Sequence, residues 1–293
     1  MADCQQRFTV DRFMNESDYQ TNLRFTQSLW RAAQGLPMGK LGTLLPTRMA
    51  KKTLVNFLDD TVRDVVRAEV EGPKAEGKLY GEPRIYNNLL SSQPLCFNLF
   101  AHLQQDLDLA TRVFARRFPD RVKEVAGVEF EWSPGRRDSR YTGDRTAFDV
   151  FVTCNTPSGG KGFVAIEVKY HEDLSGKATG LRKRYCEVAE TSGLWNMDDL
   201  DDVRESPTGQ IWRDHLLALS MLQADDSWES GRFVMLAPKD NEPCADAVQK
   251  YQELMQDSET FAYWPMESFV DDIIEACAGT WIHQFKKRYL NIR

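Results

Sequence analysis

The chain has 293 residues, 42% of them hydrophobic and 28% charged, so it can bury a substantial core; this composition excludes a disordered chain and a disulfide scaffold. The formal net charge of -7 argues against a protein that coats nucleic acid through bulk positive charge. The N-terminal residues lack an apolar signal segment and no later stretch is long enough to span a bilayer, so we expect a soluble, cytoplasmic protein without a membrane partner.

The cysteines and histidines give no sign of a zinc module. The six cysteines have no paired spacing, and the four histidines lie far from each other in sequence. We therefore expect the cysteines to be small core residues in a reducing compartment.

The N-terminal part of the chain has a helical pattern. Apolar residues recur at helical spacing and predict helices over residues 15–34 and 53–71. Residues 72–83 are polar and rich in glycine and proline, which indicates a surface connection. We accordingly predict a helical extension over residues 1–80, packed on a second domain over residues 81–293 that ends in helices.

The middle of the chain changes from a helical to a strand period. An apolar stripe predicts one helix over residues 95–118, ended by Pro119. Residues 125–132 then alternate, with Val128 and Phe130 on one side of a predicted strand and glutamates on the other.

A hairpin follows that strand. Strands are predicted over residues 147–153 and 162–170, joined by a turn-rich segment containing Pro157 and two glycines. The later predicted elements are helices over residues 180–190, 209–223 and 244–255, and strands over residues 232–236 and 261–264. From residue 95 to 237 the core order is therefore helix, three strands, helix, strand, where the helical part before the last strand consists of the helices over residues 180–190 and 209–223.

The residues with chemical potential lie in the hairpin. Strand side chains alternate, so Glu167 and Lys169 share one face of their strand, and Asp149 joins them if the hairpin register suits. Two neighbouring carboxylates suit Mg²⁺ or Mn²⁺. A lysine beside them can orient or help deprotonate an attacking water and can stabilise charge that develops on a phosphate.

The competing interpretation is a solvated, self-neutralising charge cluster at a sheet edge. Each of these residues alone favours that interpretation. Their combination favours a metal site, because an acid on one strand is followed by a turn and then by Glu-x-Lys at the end of the apolar segment Phe163–Ile166.

Asp149 and Glu167-Val-Lys169, within TAFDVFVTCNTPSGGKGFVAIEVKY, resemble the PD-(D/E)xK nuclease superfamily. The segment from Ser91-Ser-Gln93 through Cys96-Phe-Asn98 to SPGRRDSRYTGDRTAFDVF is similar to a bacterial group within it, the PGN_0703-like restriction-endonuclease-related proteins, and the resemblance covers about residues 80–240. The resemblance implies an α/β (α+β) restriction-endonuclease-like fold, with an αβββαβ core and a mixed central sheet flanked by helices. It also implies metal-dependent cleavage of DNA, with Asp149 and Glu167 as metal ligands and Lys169 as the catalytic lysine.

The sequence departs from the family pattern at two places. Phe148 stands where a proline often precedes the aspartate. The Gln-x-x-x-Tyr pattern of one subgroup is absent, because Asp214 occupies the fourth position after Gln210.

Several further residues are candidates for the site. Members of the family often use an additional acidic residue, for which Glu131 is our preferred candidate; the alternatives are Glu82, Asp106 and Asp108. Arginine suits bidentate phosphate recognition, so Arg213 and Arg145, together with Gln210, are candidate phosphate contacts, with helix capping or local pairing as the alternative. The basic segments that could contact phosphate, or could simply face solvent, are residues 136–140, 182–184 and 286–288.

Two functions of different classes remain open at this stage. The first is a metal-dependent nuclease acting on nucleic acid, with DNA preferred, as a monomer or a homodimer. The second is a catalytically degenerate nuclease fold that binds nucleic acid or a protein partner without cutting. Retention of all three motif residues favours the first.

Overall fold

The computed structural model describes residues 16–291. Their strands are β1 (Glu124–Trp132), β2 (Phe148–Asn155), β3 (Lys161–Val168), β4 (Trp228–Ala237) and β5 (Phe261–Pro265). Their α-helices are α1 (Asp18–Ala33), α2 (Thr47–Thr53), α3 (Asp60–Val66), α4 (Arg84–Asn87), α5 (Ser92–Gln105), α6 (Leu107–Arg117), α7 (Lys183–Ser192), α8 (Leu200–Arg204), α9 (Gly209–Ala224), α10 (Glu242–Glu253), α11 (Met266–Ala276) and α12 (Thr280–Tyr289). None of these helices is both long and apolar enough to cross a bilayer.

The described chain forms two compact units. The first combines residues up to 102 with those from 273 onward, and the second comprises residues 103–272. All five strands lie in the second unit. The predicted division into residues 1–80 and 81–293 stays a prediction.

Helix α1 of the first unit confirms the helix predicted over residues 15–34. Ser17 caps it, because its hydroxyl accepts from the Gln20 backbone and the Gln20 side chain accepts from the Ser17 backbone. The helix predicted over residues 53–71 is wrong in its first part. Leu54 ends α2 with a left-handed φ of 52°, and Asp59 caps α3 only later. Apolar residues continue through the break, so their spacing conceals it.

The single helix predicted over residues 95–118 is also two helices. Asp106 interrupts it, and its carboxylate accepts from the Leu109 N–H at 2.8 Å as the cap of α6. The apolar stripe runs along both helices because both pack inward, so the stripe alone does not show where one ends.

The five strands form one mixed sheet in the order β1-β2-β3-β4-β5. The first three strands are antiparallel neighbours, as the predicted hairpin requires, while β4 and β5 join parallel. Helix α6 packs on β1 and α9 packs on β4. Aromatic side chains of the strands and of α9, among them Phe163, Trp212 and Phe233, form a core on one face of the sheet. The αβββαβ core with a mixed, helix-flanked sheet is therefore confirmed.

Strand β3 ends earlier than predicted, at Val168 rather than at residue 170. The next residue still follows the strand, because the Lys169 N–H donates to the Leu236 carbonyl at 2.9 Å. Lys169 thus stands at the end of a central strand, where its backbone is held but its side chain can turn toward the preceding residues.

Candidate functional site

The register of the β2–β3 hairpin brings two carboxylates together. Val150 pairs with Ile166, so the next pair along the strands sets Asp149 opposite Glu167. Directly opposed residues of an antiparallel pair point to the same face. The Asp149 carboxylate also accepts from the Val168 N–H at 2.9 Å, which holds it against the end of β3. The condition on which the shared site depended is therefore met in this structure.

The Glu167 carboxylate is held by two donors. Its Oε1 atom accepts from Lys169 Nζ at 2.6 Å and from Gln210 Nε2 at 2.9 Å. Both members of the ion pair are buried, with Lys169 only 5% exposed. Gln210 lies in the first turn of α9, so a hydrogen bond from this helix holds the Glu167 side chain in place. Gln210, predicted as a phosphate contact, here supports a candidate metal ligand.

Burial alone would lower the pKa of Lys169, but the carboxylates of Glu167, Glu172 and Asp149 outweigh it and raise that pKa above its ordinary value. Lys169 therefore remains protonated. Burial, together with the charge of Glu167, raises the pKa of Asp149 well above its ordinary value. The positive charge of Lys169 therefore does not fully neutralise the carboxylates of Asp149 and Glu167.

The donor set suits a hard divalent cation. One oxygen each of Asp149 and Glu167 accepts the hydrogen bonds described above, and the other accepts none from any residue that the structure describes. Two such carboxylate oxygens, with repulsion that a cation would relieve, fit Mg²⁺ or Mn²⁺. Across residues 16–291, no group of three or more His, Cys, Asp or Glu side chains is arranged to hold a metal. Asp149 and Glu167 are the two side chains of the hairpin that could hold such an ion.

Glu131 lies next to this pair but is engaged elsewhere. It lies between Phe130 and Trp132, which pair with β2 residues on either side of Asp149. Its φ of 47° breaks the regular strand conformation, and its Oε1 forms an ion pair with Arg136 Nη2 at 2.8 Å. Its charge contributes to the raised pKa of Asp149. Glu131 therefore borders the site while its carboxylate is paired with an arginine.

The other acidic candidates have separate partners. Asp106 is the cap of α6 described above, and Asp108 is exposed in the same helix. Glu82 lies in the first compact unit, where its carboxylate pairs with Lys51 Nζ at 2.8 Å. None of these three is placed with Asp149 by the contacts of the described residues.

Asp214 is a buried acidic residue near Glu167 that the sequence alone did not single out. Its side chain is buried, its Oδ2 has no hydrogen-bond partner among the residues that the structure describes, and its Oδ1 lies 3.4 Å from Arg213 Nε. Burial and then the charge of Glu167 raise the pKa of Asp214 to about 7. The available signal was its spacing of four residues after Gln210, which puts both on one face of a helix.

The predicted arginines occupy the neighbourhood of the site. Arg213 and Arg145 line one cavity in the second unit, while the basic segments 136–140 and 182–184 are linked by hydrogen bonds from Arg184 to the carbonyls of Arg140 and Tyr141. In the third basic segment, residues 286–288, the arginine is not accessible to a ligand. Arg288 is buried in the first unit, where it donates to Asn56 and Gln27.

Comparison with known proteins supports the resemblance at the level of the superfamily. The pattern of the PD-(D/E)XK nuclease superfamily matches residues 14–291, which is nearly the whole chain. No curated protein and no solved structure matches the chain. The match includes the β1–β3 strands, the hairpin site and the helices on both sides. The chain therefore belongs to the PD-(D/E)XK nuclease superfamily.

Proposed function

We propose that this protein is a divalent-metal-dependent nuclease that hydrolyses phosphodiester bonds in DNA, with Mg²⁺ or Mn²⁺ as its metal. Members of the superfamily generally hydrolyse phosphodiester bonds with divalent metals. The observation that supports this function for the present chain is the register that opposes Asp149 and Glu167, with Lys169 bonded to the glutamate. Membership of the bacterial group, and a homodimer, stay predictions.

Asp149 and Glu167 would hold the ion through their uncommitted oxygens. The ion would supply Lewis-acid stabilisation of the phosphate and would make water more acidic. Gln210 and the Val168 N–H keep the two carboxylates in place, so they need little reorganisation to bind a cation.

Lys169 acts in this proposal as a donor and a positive charge. Because its pKa is raised, its ammonium group cannot take a proton from water at neutral pH. It can orient an attacking water by hydrogen bonding and can stabilise the negative charge that develops on the phosphate. Of the three tasks predicted for this lysine, orientation and charge stabilisation are therefore favoured over deprotonation.

The test is DNA cleavage with Mg²⁺, with Mn²⁺ and with a chelator. We expect cleavage with either metal, none with the chelator, and a rate lower by about 10²–10³ for Lys169→Ala. Lys161→Ala is the matched control, because Lys161 is an exposed lysine at the other end of β3. Parallel single-stranded, duplex and RNA substrates establish which nucleic acid is cut.

One result would reject the proposed nuclease function. If neither metal supports cleavage above the Lys169→Ala background on any of these substrates, the protein is the non-cleaving member of the fold that the sequence left open. Binding of nucleic acid or of a protein partner, without cleavage, would then be its proposed function.

A further inference from the structure

A basic cavity in the second unit shares helix α9 with the candidate metal site. Its volume is about 780 Å³, in the range of pockets that enclose a small ligand. The lining comes from the end of the loop before β2, from the segment between β3 and α7, and from Tyr185 and Arg213 on α7 and α9. None of these residues is a candidate metal ligand.

The cavity has an excess of positive charge. Arg145, Lys177, Arg182 and Arg213 line it, and the acidic residue among the lining side chains is Asp144. The Asp144 carboxylate is already committed, because it accepts hydrogen bonds from Thr142, Thr146 and Tyr185.

Three of the four cations have no acidic partner in the described part of the chain. Arg145, Lys177 and Arg182 form no ion pair with any carboxylate of residues 16–291. A concave surface that concentrates such charges attracts an anion. The cavity therefore has the charge of an anion-binding site.

Helix α9 connects the cavity to the candidate metal site. Gln210 donates to Glu167, and Arg213 lies three residues later, on the adjacent part of the same helix face. Arg213 is partly exposed, with its Nε toward Asp214, and it lines the cavity. An anion bound there would lie beside the phosphate that Asp149 and Glu167 address.

The walls of the cavity are held by hydrogen bonds. The Thr179 N–H donates to the Arg204 carbonyl at 2.8 Å, and its hydroxyl donates to the Gly209 carbonyl at 2.7 Å. On the opposite wall, the Arg182 guanidinium donates to the Gly143 carbonyl. The segment between β3 and α7, although irregular, is thus anchored on both sides, so the cavity is formed before a ligand arrives.

The volume and the surface chemistry of the cavity indicate which ligand it binds. A cavity of this volume can enclose about one nucleotide but cannot admit a double helix. Leu181 adds an apolar surface that is 53% exposed, against which a base or sugar can pack. We propose that this cavity binds one unpaired nucleotide of the strand being cut, next to the scissile phosphate, and so directs the enzyme to single-stranded or frayed nucleic acid.

This inference rests on the proposed nuclease function for its substrate but is tested without cleavage. A fluorescein-labelled single-stranded oligodeoxynucleotide and the blunt duplex of the same length are titrated with the protein in EDTA, and anisotropy is followed at several salt concentrations. We expect the single strand to bind more tightly than the duplex. The variant Arg145→Ala/Lys177→Ala removes two exposed cations that do not hold the cavity walls, and it should weaken single-strand binding about tenfold at low salt and reduce the salt slope by about 1.4, or about 0.7 per lost phosphate contact.

The matched control removes two charges from the same unit away from the cavity. Lys123 and Lys250 are exposed, so Lys123→Ala/Lys250→Ala gives the same change in net charge. If this control weakens binding as much as the cavity variant, or if the duplex binds as tightly as the single strand, the proposal is overturned.

The two proposals can fail separately. Cleavage that depends on Lys169, with a cavity variant that binds like the control, rejects the nucleotide site and keeps the nuclease. A cavity variant that binds weakly, in a protein that cuts nothing with either metal, keeps the nucleotide site and rejects the nuclease.

Discussion

Replacing Lys169 by methionine should destabilise the metal-free protein in a pH-dependent way. The Lys169–Glu167 pair is 2.6 Å long, and both side chains are buried. Methionine keeps most of the volume but leaves Glu167 uncompensated. Removing one partner of a buried ion pair costs about 3–5 kcal/mol of unfolding free energy. The neighbouring carboxylates of Asp149 and Asp214 add to the repulsion.

The sign of the pH dependence follows from the raised carboxyl pKa values. Asp214 has a pKa of about 7 in the folded protein against an ordinary value of 3.8, and loss of the lysine charge raises it further. A group with a raised folded pKa favours the folded state at low pH, and this contribution is lost as pH rises through the folded pKa. The variant's deficit should therefore be largest at pH 8 and should shrink at pH 6, by about 1.4 kcal/mol per pH unit for each proton taken up.

Urea-induced unfolding in EDTA, followed by tryptophan fluorescence at pH 6 and pH 8, measures both effects. Lys161→Met is the control, since this exposed lysine of the same strand should change stability by about 0.5 kcal/mol or less. Added Mg²⁺ or Mn²⁺ should stabilise the Lys169 variant more than the wild type, because the ion replaces the lost positive charge. A variant as stable as wild type at pH 8, or one with the same deficit at both pH values, would show that Lys169 does not neutralise a carboxylate cluster.

Three other perturbations test the site and the two compact units. Gln210→Ala removes a hydrogen bond to the charged Glu167, worth about 1.5–3 kcal/mol, so metal-dependent cleavage should fall about 10- to 150-fold; an unchanged initial rate would mean that Gln210 does not position the glutamate. His215 is buried between Tyr251 and Thr260, and burial lowers its pKa to about 3. The unfolded chain takes up a proton below pH 6.5 that the folded chain refuses, so the contribution of this residue to stability should fall by about 2 kcal/mol from pH 6.5 to 5; in urea titrations the difference in unfolding free energy between wild type and His215→Gln should shift by that amount over this range, and an unchanged difference would contradict the assignment. In the first unit, Arg288→Met leaves buried acceptors without donors and should cost about 3 kcal/mol of unfolding free energy, whereas the exposed Lys287→Met should cost almost nothing; equal midpoints for the two variants would show that the Arg288 hydrogen bonds are not stabilising.

Local patterns in the sequence determined much of the second unit. Alternation predicted β1 and the hairpin strands, and the same period put Glu167 and Lys169 on one face. The motif predicted the superfamily, which the match over residues 14–291 confirms. These features depend on residues that are close along the chain, so the sequence records them directly.

The tertiary structure decided how those local pieces meet. Only the hairpin register set Asp149 opposite Glu167, and only the docking of α9 on the sheet brought Gln210 and Asp214 to the glutamate. The same is true of Glu131, whose left-handed backbone and arginine partner are not visible in an alternating pattern. The sequence period of apolar residues shows on which face of a strand or helix a side chain lies. Strand register, helix docking and burial depend instead on packing between segments that are distant in sequence. The sequence by itself therefore determined the fold class and the three motif residues, and the packed structure decided which side chains surround them.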